Sequence, residues 1–292
     1  MSTPVQEIIA SSLGGMCGCF VGYPLDTLKV RLQTRSSPHS ALWYATEMLK
    51  KEGPLSFYRG LSAPLVGAVP INASYFLGYY WGKRLFWNPD TIKNNDFARI
   101  ALASAVAGMF VAPVYSVVDR MKCIMQVQRV HSIFPNMEFK SAYELLRYMY
   151  GEYGWYCCCR GFWATIMRDV PGSVFYFGTY DWVKGKLSKD GKASVPITML
   201  SGGLGGMLYW VVVMPMDTLK TLVQTNPPTE GKGAARILVE KVRGEGPFRA
   251  YASLYRGLTP VLLRAFPSNA ATFSGYELIK YFFSVLSPTV EP

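Results

Sequence analysis

The sequence predicts an all-α membrane protein of six transmembrane helices, made from three tandem two-helix repeats with one short interfacial helix in each. Three observations lead there. Mean hydropathy is positive, +0.14, in a chain of 292 residues whose formal net charge is +11. A charged motif returns three times at spacings of 93 and 98 residues, and self-similarity at a fixed period marks a repeat architecture. Apolar stretches long enough to cross a hydrocarbon core of ~30 Å surround every copy. The net charge would suit nucleic acid or an anionic membrane surface, but the basic residues are scattered, not gathered into tracts, and the positive hydropathy favours membrane. No groove-reading motif is visible, so nucleic acid is not an expected partner.

The first helix is placed over about 5–34. Its apolar run, IIASSLGGMCGCFVG, begins within ten residues of Met1 without the order of a secretory signal, so no cleaved presequence is expected. It continues into YPLDTLKVRLQT at 23–34, which puts a proline, an aspartate and a lysine inside a membrane helix. The same text returns as SVVDRMKCIMQ at 116 and MPMDTLKTLVQ at 214, placing helices at about 95–128 and 195–225. Pro24 and Pro215 bend their helices; in the second copy Val117 stands there and Pro113 supplies the bend. Small pairs recur upstream at one offset, Gly14-Gly15, Ala107-Gly108 and Gly205-Gly206, as close helix packing in a membrane requires.

Downstream come EGPLSFYRG at 52, EYGWYCCCRG at 152 and EGPFRAYASLYRG at 245, the last four residues longer than the first. After them PINASYFLGYYWGK at 70, PGSVFYFGTYDWVK at 171 and PSNAATFSGYELIK at 267 align on proline, phenylalanine and the closing lysine. These define helices at about 61–87, 160–186 and 257–285. Short amphipathic segments near 38–50, 139–149 and 231–243 are expected in the interface. The repeats are 1–92, 93–190 and 191–292 of a single domain, and six crossings put both termini on one side.

Aligning the copies brings Asp26, Asp119 and Asp217 into register, then Lys29, Lys122 and Lys220, then Gln33, Gln126 and Gln224. Residues at i, i+3 and i+7 share one helix face. A charge at the membrane centre costs about 2.5–3.5 kcal/mol, so that face lines a watery or protein-enclosed axis. The aspartate of one repeat can pair with the lysine of its neighbour to close a ring, with a glutamine hydrogen-bonding beneath each pair. Buried ion pairs are weak stabilisers, and a ring that opens at little net cost suits a gate. The even helices carry a second set: Tyr180-Asp181 with Lys184, Tyr276-Glu277 with Lys280, and Tyr79-Tyr80 with Lys83. Tyr80 stands where an acid is expected, so this ring can make two of its three ion pairs and is the weaker barrier. Two gates imply a site between them.

Setting aside both rings, the basic helix ends, and Glu7 and Asp96 near helix starts, three ionisable residues remain in the spans: Arg168, Asp169 and Arg264. Arg168 lies about 12 Å from Arg160 and about 20 Å from Asp181 along the helix. Neighbours on a helix point about 100° apart, so Arg168 and Asp169 are expected to face substrate and not to satisfy each other. Arginine forks match carboxylates and Asp169 would hold a cation, which suits a zwitterion. Gly67 and Ala68 occupy the equivalent place in the first repeat and leave room for a bulky apolar part. No acid remains for a second substrate cation. Neither a metal nor a catalytic centre is expected. The six cysteines form no CxxC pair, and His39 and His131 fall in loops.

The chain resembles the mitochondrial carrier family over nearly its whole length. The family motif, proline-X-acid-X-X-base, is matched by Pro24/Asp26/Lys29 and Pro215/Asp217/Lys220 and in part by Asp119/Lys122. The resemblance implies a monomeric, three-fold pseudosymmetric bundle in the mitochondrial inner membrane that moves solutes by alternating access without a cofactor. It implies a matrix gate at the Asp/Lys ring with glutamine braces, a cytoplasmic gate at the Tyr-Asp/Glu-Lys set, and short helices on the matrix side. Cardiolipin is expected at Arg59-Gly60, Arg160-Gly161 and Arg256-Gly257, where helix N-termini present amides. Within the family, MRDVPGSVFYFGTYDW and LLRAFPSNAATFSGYE are similar to carnitine/acylcarnitine and ornithine/basic amino acid carriers. DRMKCIMQVQ and QTNPP resemble the former, MLSGGLGGMLYW and VPGS the latter, and Tyr23 departs from the histidine expected in carnitine carriers. The charge count decides for carnitine and its esters, with one cation and one carboxylate. A basic amino acid carrier and a non-transporting scaffold are the alternatives.

Overall fold

The structure, a computed structural model, describes residues 4–34, 39–86, 96–129, 133–134, 137–187 and 195–286; His131 lies outside them. In chain order the helices are α1 (Pro4–Thr34), α2 (Ala41–Glu52), α3 (Ser62–Phe86), α4 (Asp96–Val127), α5 (Ala142–Cys158), α6 (Phe162–Leu187), α7 (Val195–Thr225), α8 (Ala234–Glu245), α9 (Pro247–Leu254) and α10 (Leu258–Leu286). No strand occurs among the described residues. The six long helices run from 25 residues in α3 to 32 in α4, or about 37–48 Å. Among the described residues, three segments, Val5–Thr34, Pro54–Leu85 and Leu102–Val127, are long and apolar enough to cross a membrane.

The long helices form a closed ring in chain order, with the tightest seams between repeats: α3 on α4, α6 on α7, and α10 on α1. Glycine makes these seams close. A Cβ on Gly14 would lie 2.8 Å from the Thr272 carbonyl oxygen, one on Gly78 2.8 Å from Ala107 Cα, and one on Gly205 3.0 Å from the Tyr176 carbonyl oxygen. One member of each recurring small pair is thus a packing contact, as membrane helix association demands. Along the α10–α1 seam Gly14 meets Thr272 and Tyr276 while Gly22 meets Arg264, so the partners are antiparallel. Large apolar side chains such as Val66, Trp163, Phe266 and Phe273 cover the outside, each more than 65% exposed, as a lipid-facing surface would.

At the C-terminal ends of α1, α4 and α7, the odd members of the six long helices (α3, α6 and α10 being the even ones), the short elements cap the ring. The Ser40 and Ser141 hydroxyls accept hydrogen bonds from the backbone N–H of Trp43 and Glu144, starting α2 and α5. Tyr44 and Met48 of α2 pack on Leu28 and Leu32 of α1. Arg31 donates to the Glu52 carboxylate, and Arg59 Nη1 lies 3.2 Å from Glu52 Oε2. Burial raises the Glu52 pKa, but the hydrogen bond from Arg31 and the charges of Arg31 and Arg59 outweigh it and hold the carboxyl below its ordinary value.

Each repeat adds a second short segment that the sequence pattern does not predict: a 3₁₀ turn at Pro54–Tyr58, the end of α5 after its break at Gly154, and α9. Each begins at a left-handed glycine, Gly53, Gly154 or Gly246, with φ of 80°, 73° and 79°, and each is followed by another, Gly60, Gly161 or Gly257. The four extra residues of the third linker give α9 its full helical turns. All six cysteines are free thiols. Burial pushes the Cys158 and Cys159 thiols up, against the pull of Arg120, so these two thiols are poorly reactive.

Gly161 combines φ of 102° with a virtual Cβ 2.8 Å from Gln224 Cγ. Gly161→Ala should therefore destabilise the protein by at least ~1–2 kcal/mol, whereas Gly178→Ala, with open space around it, should be neutral or slightly stabilising. Thermal unfolding of the detergent-purified variants measures both, and equal melting temperatures would overturn the reading.

Candidate transport site

Three ion pairs close a ring across the odd helices. Lys29 Nζ lies 2.7 Å from Asp217 Oδ2, Lys122 Nζ 2.6 Å from Asp26 Oδ2, and Lys220 Nζ 2.7 Å from Asp119 Oδ2. Every lysine thus reaches the aspartate of the preceding repeat, counted cyclically. Four of its six side chains are buried, Asp217 at 2% and Lys220 at 1% exposed most fully, while Asp119 and Lys122 are half-buried. Each ammonium also sits over an aromatic face, Lys29 over Trp210, Lys122 over Tyr23 and Lys220 over Tyr115, at 4.6, 5.1 and 4.9 Å. These rings occupy different offsets from the aspartates, so repeat alignment does not reveal them. Tyr23 is held by its own hydroxyl, which donates to the Arg59 carbonyl at 3.1 Å.

The glutamines follow the same rotational sense but do not behave alike. Gln33 Nε2 donates to Asp217 Oδ2 at 2.9 Å and to Thr218 Oγ1 at 3.1 Å. Gln126 Nε2 donates to Thr27 Oγ1 at 3.0 Å. Gln224 would meet the residue following Asp119, and there the chain has Arg120 where the other repeats have threonine. With no hydroxyl to receive it, both amide atoms of Gln224 are buried without a hydrogen-bond partner. The expected glutamine beneath every ion pair is therefore present in geometry at Gln33 alone.

One turn above the ring the structure revises two expectations. Arg168 and Asp169 do pair, Nε to Oδ1 at 2.7 Å, because the long guanidinium stem folds along the helix to its neighbour. The 100° argument concerns only where side chains leave the backbone. Nor do the arginines stand apart from the ring: Arg168 Nη1 lies 3.2 Å from Asp217 Oδ1 and Arg264 Nε 3.0 Å from Asp26 Oδ1. Asp169 also accepts from the Tyr209 hydroxyl at 3.4 Å, and its side chain is 45% exposed.

Gly67, at the position equivalent to both arginines, does not border open space. It is buried, and a Cβ there would lie 2.6 Å from the Val118 methyls. Ala68 is half-buried, its carbonyl accepting from Asn72 Nδ2 at 2.8 Å. The position thus faces the next odd helix, where Arg168 and Arg264 reach Asp217 and Asp26 and glycine leaves Asp119 to Lys220. Lys29, Lys122, Lys220, Arg168 and Arg264 face Asp26, Asp119, Asp217 and Asp169 here, five cations against four carboxylates.

The even-helix set is wet by comparison. Tyr80, Lys83 and Glu277 are exposed. Lys83, Lys184 and Lys280 each lie over the tyrosine one turn back, Tyr79, Tyr180 and Tyr276, at 4.8, 5.3 and 5.2 Å. The Asp181 side chain lies outside the described residues. Glu7, set aside above as a helix-start residue, accepts from the Tyr276 hydroxyl at 2.7 Å and lies 3.7 Å from Lys280 Nζ. At the linker ends Arg160 donates to the carbonyls of Pro227 and Lys232 at 3.1 and 2.8 Å, and Arg256 is half-buried. Gly60 and Gly257 bring the backbone against Met125 and Lys29.

A three-fold repeat with a closed Asp/Lys ring narrows the possibilities, and sequence comparison agrees. The family model described as "Mitochondrial carrier protein" matches three times, at residues 1–90, 93–191 and 191–286. The chain belongs to the mitochondrial carrier family. Members of this family are transporters of the mitochondrial inner membrane, not enzymes. The mouse mitochondrial carnitine/acylcarnitine carrier protein is 34% identical, covering 99% of this chain and 97% of its own. The Drosophila melanogaster mitochondrial magnesium exporter 1 is 39% identical over 95% of this chain and 94% of its own. An Arabidopsis thaliana mitochondrial arginine transporter is 33% identical over 94% and 90%. As a mitochondrial carrier, this chain moves small solutes; which solute is a matter for the site itself.

Proposed function

We propose that this carrier is a multi-pass monomer of the mitochondrial inner membrane that exchanges carnitine and acylcarnitine by alternating access. The observation that carries the reading is the pair of guanidinium groups above the ring, Arg168 and Arg264, beside a half-exposed Asp169. One excess cation fits a substrate that brings a carboxylate and no net positive charge. A basic amino acid brings a second ammonium, for which the site offers no further acid. A magnesium ion takes oxygen ligands, largely carboxylate and water. Among the described residues no cluster of three acidic or other ligating side chains exists, and the cationic excess opposes it. A non-transporting scaffold leaves the intact ring unexplained.

In this reading Asp26/Lys122, Asp119/Lys220 and Asp217/Lys29, with the glutamines below, form the matrix gate, closed here. Lys83, Tyr180, Asp181, Lys184, Tyr276, Glu277 and Lys280 form the cytoplasmic gate. Cardiolipin would bind at the linker–helix junctions through backbone amides. The arginines of two junctions are occupied within the protein, Arg59 by Glu52 and Arg160 by loop carbonyls.

The test is uptake into proteoliposomes loaded with carnitine. Carnitine and acylcarnitines are expected to exchange, with lysine and magnesium far slower. Substantial uptake of lysine or magnesium with none of acylcarnitine would overturn the assignment.

A further inference from the structure

The second ring lacks an acid at Tyr80, and the helix geometry identifies the lysine this strands. In the odd-helix ring each lysine, three residues after its aspartate, reaches the preceding repeat. The even helices run antiparallel to the odd ones. Viewed down one common axis, a three-residue advance on a helix of opposite direction turns the opposite way. The same acid-then-lysine order on the even helices therefore directs each lysine to the following repeat: Lys83 to position 181, Lys184 to position 277, and Lys280 to position 80. Lys280 is the one that meets tyrosine where an acid is needed.

Helix α1 lies between α10, which carries Lys280, and α3, which carries Tyr80. Helix α1 carries Glu7, with Oε1 3.7 Å from Lys280 Nζ and Oε2 accepting from the Tyr276 hydroxyl at 2.7 Å. We propose that Glu7 is the third acid of the outer gate, supplied from α1 in place of the residue missing at Tyr80. Both sites of α10 that face the gate, a lysine and a tyrosine one turn apart, are gathered by this one carboxylate. Helix α1 packs on both α10 and α3, so the pair of Glu7 with Lys280 tightens as those two helices close on α1 and loosens as they part. The proposal rests on the two-gate reading above.

Rescue distinguishes a gate acid from a mere helix clamp. Glu7→Gln should slow exchange about fivefold, the loss of one partly exposed ion pair. Tyr80→Glu in the same chain should restore it to within about twofold, because an acid on α3 returns a partner to Lys280. No effect of Glu7→Gln, or a loss that Tyr80→Glu does not repair, overturns the proposal. Melting of the detergent-purified protein through the cycle Glu7→Gln, Lys280→Gln and the double variant needs no substrate. Strictly additive shifts there also overturn it, even where carnitine exchange is fast. A chain that fails to move carnitine sinks the substrate assignment and leaves this second measurement standing.

Discussion

Asp217→Asn is expected to abolish exchange and to lower the melting temperature more than the same change at Asp119. Asp217 is the most heavily engaged member of the ring: Lys29 lies at 2.7 Å, Arg168 at 3.2 Å and Gln33 at 2.9 Å, and the side chain is 3% exposed. Asparagine keeps the shape and one oxygen acceptor but removes the charge that two buried cations share. Leaving a buried partner uncompensated costs on the order of 3–5 kcal/mol. Asp119 faces Lys220 at 2.7 Å with its own side chain 16% exposed, and Gly67 offers it no arginine, so fewer charges are stranded. Thermal unfolding of the two purified variants decides the order; a larger drop for Asp119→Asn would overturn this account of the ring.

That asymmetry shows which features were legible in the sequence. Three aspartates and three lysines in register, on helices that cannot expose them to lipid, have one economical arrangement: each pairs with the next repeat. Alternation of apolar spans with Arg-Gly junctions placed the long helices equally well, because membrane length and backbone satisfaction leave little choice. What escaped depends on side-chain reach and on differences between repeats. An arginine can turn back to its helix neighbour, so Arg168 and Asp169 cannot be judged from backbone directions. Gly67 reads as open space until Val118 is seen filling it. Gln224 loses its partner through Arg120, a substitution one residue away from the motif. Glu7 reads as an ordinary acid at a helix start, and its contacts with Tyr276 and Lys280 depend on a helix at the far end of the chain. Short linker helices escaped because their glycine breaks leave segments too brief for a periodic signal.

Asp169→Asn tests the substrate site, and its expected signature is the reverse of that at Asp217. The carboxylate is 45% exposed and bound by Arg168 and Tyr209, so the fold does not depend on it and melting should shift little. Exchange of carnitine should fall about 10- to 100-fold, the equivalent of a charge-assisted contact worth ~1.5–3 kcal/mol. Two explanations of such a loss differ in what they predict for other substrates. If Asp169 grips the substrate cation, analogues that carry the carboxylate but no ammonium lose nothing from the substitution, and Asp169→Glu recovers part of carnitine exchange. If Asp169 only steadies Arg168, whose other partner is Asp217 at 3.2 Å, both kinds of analogue suffer alike, because the guanidinium that receives the carboxylate is what has moved. The cation-gripping reading therefore stands on an unequal loss, measured as competition by the two analogues against labelled carnitine uptake. Equal losses would move the cation site elsewhere in the cavity and leave Arg168 and Arg264 as the recognition pair.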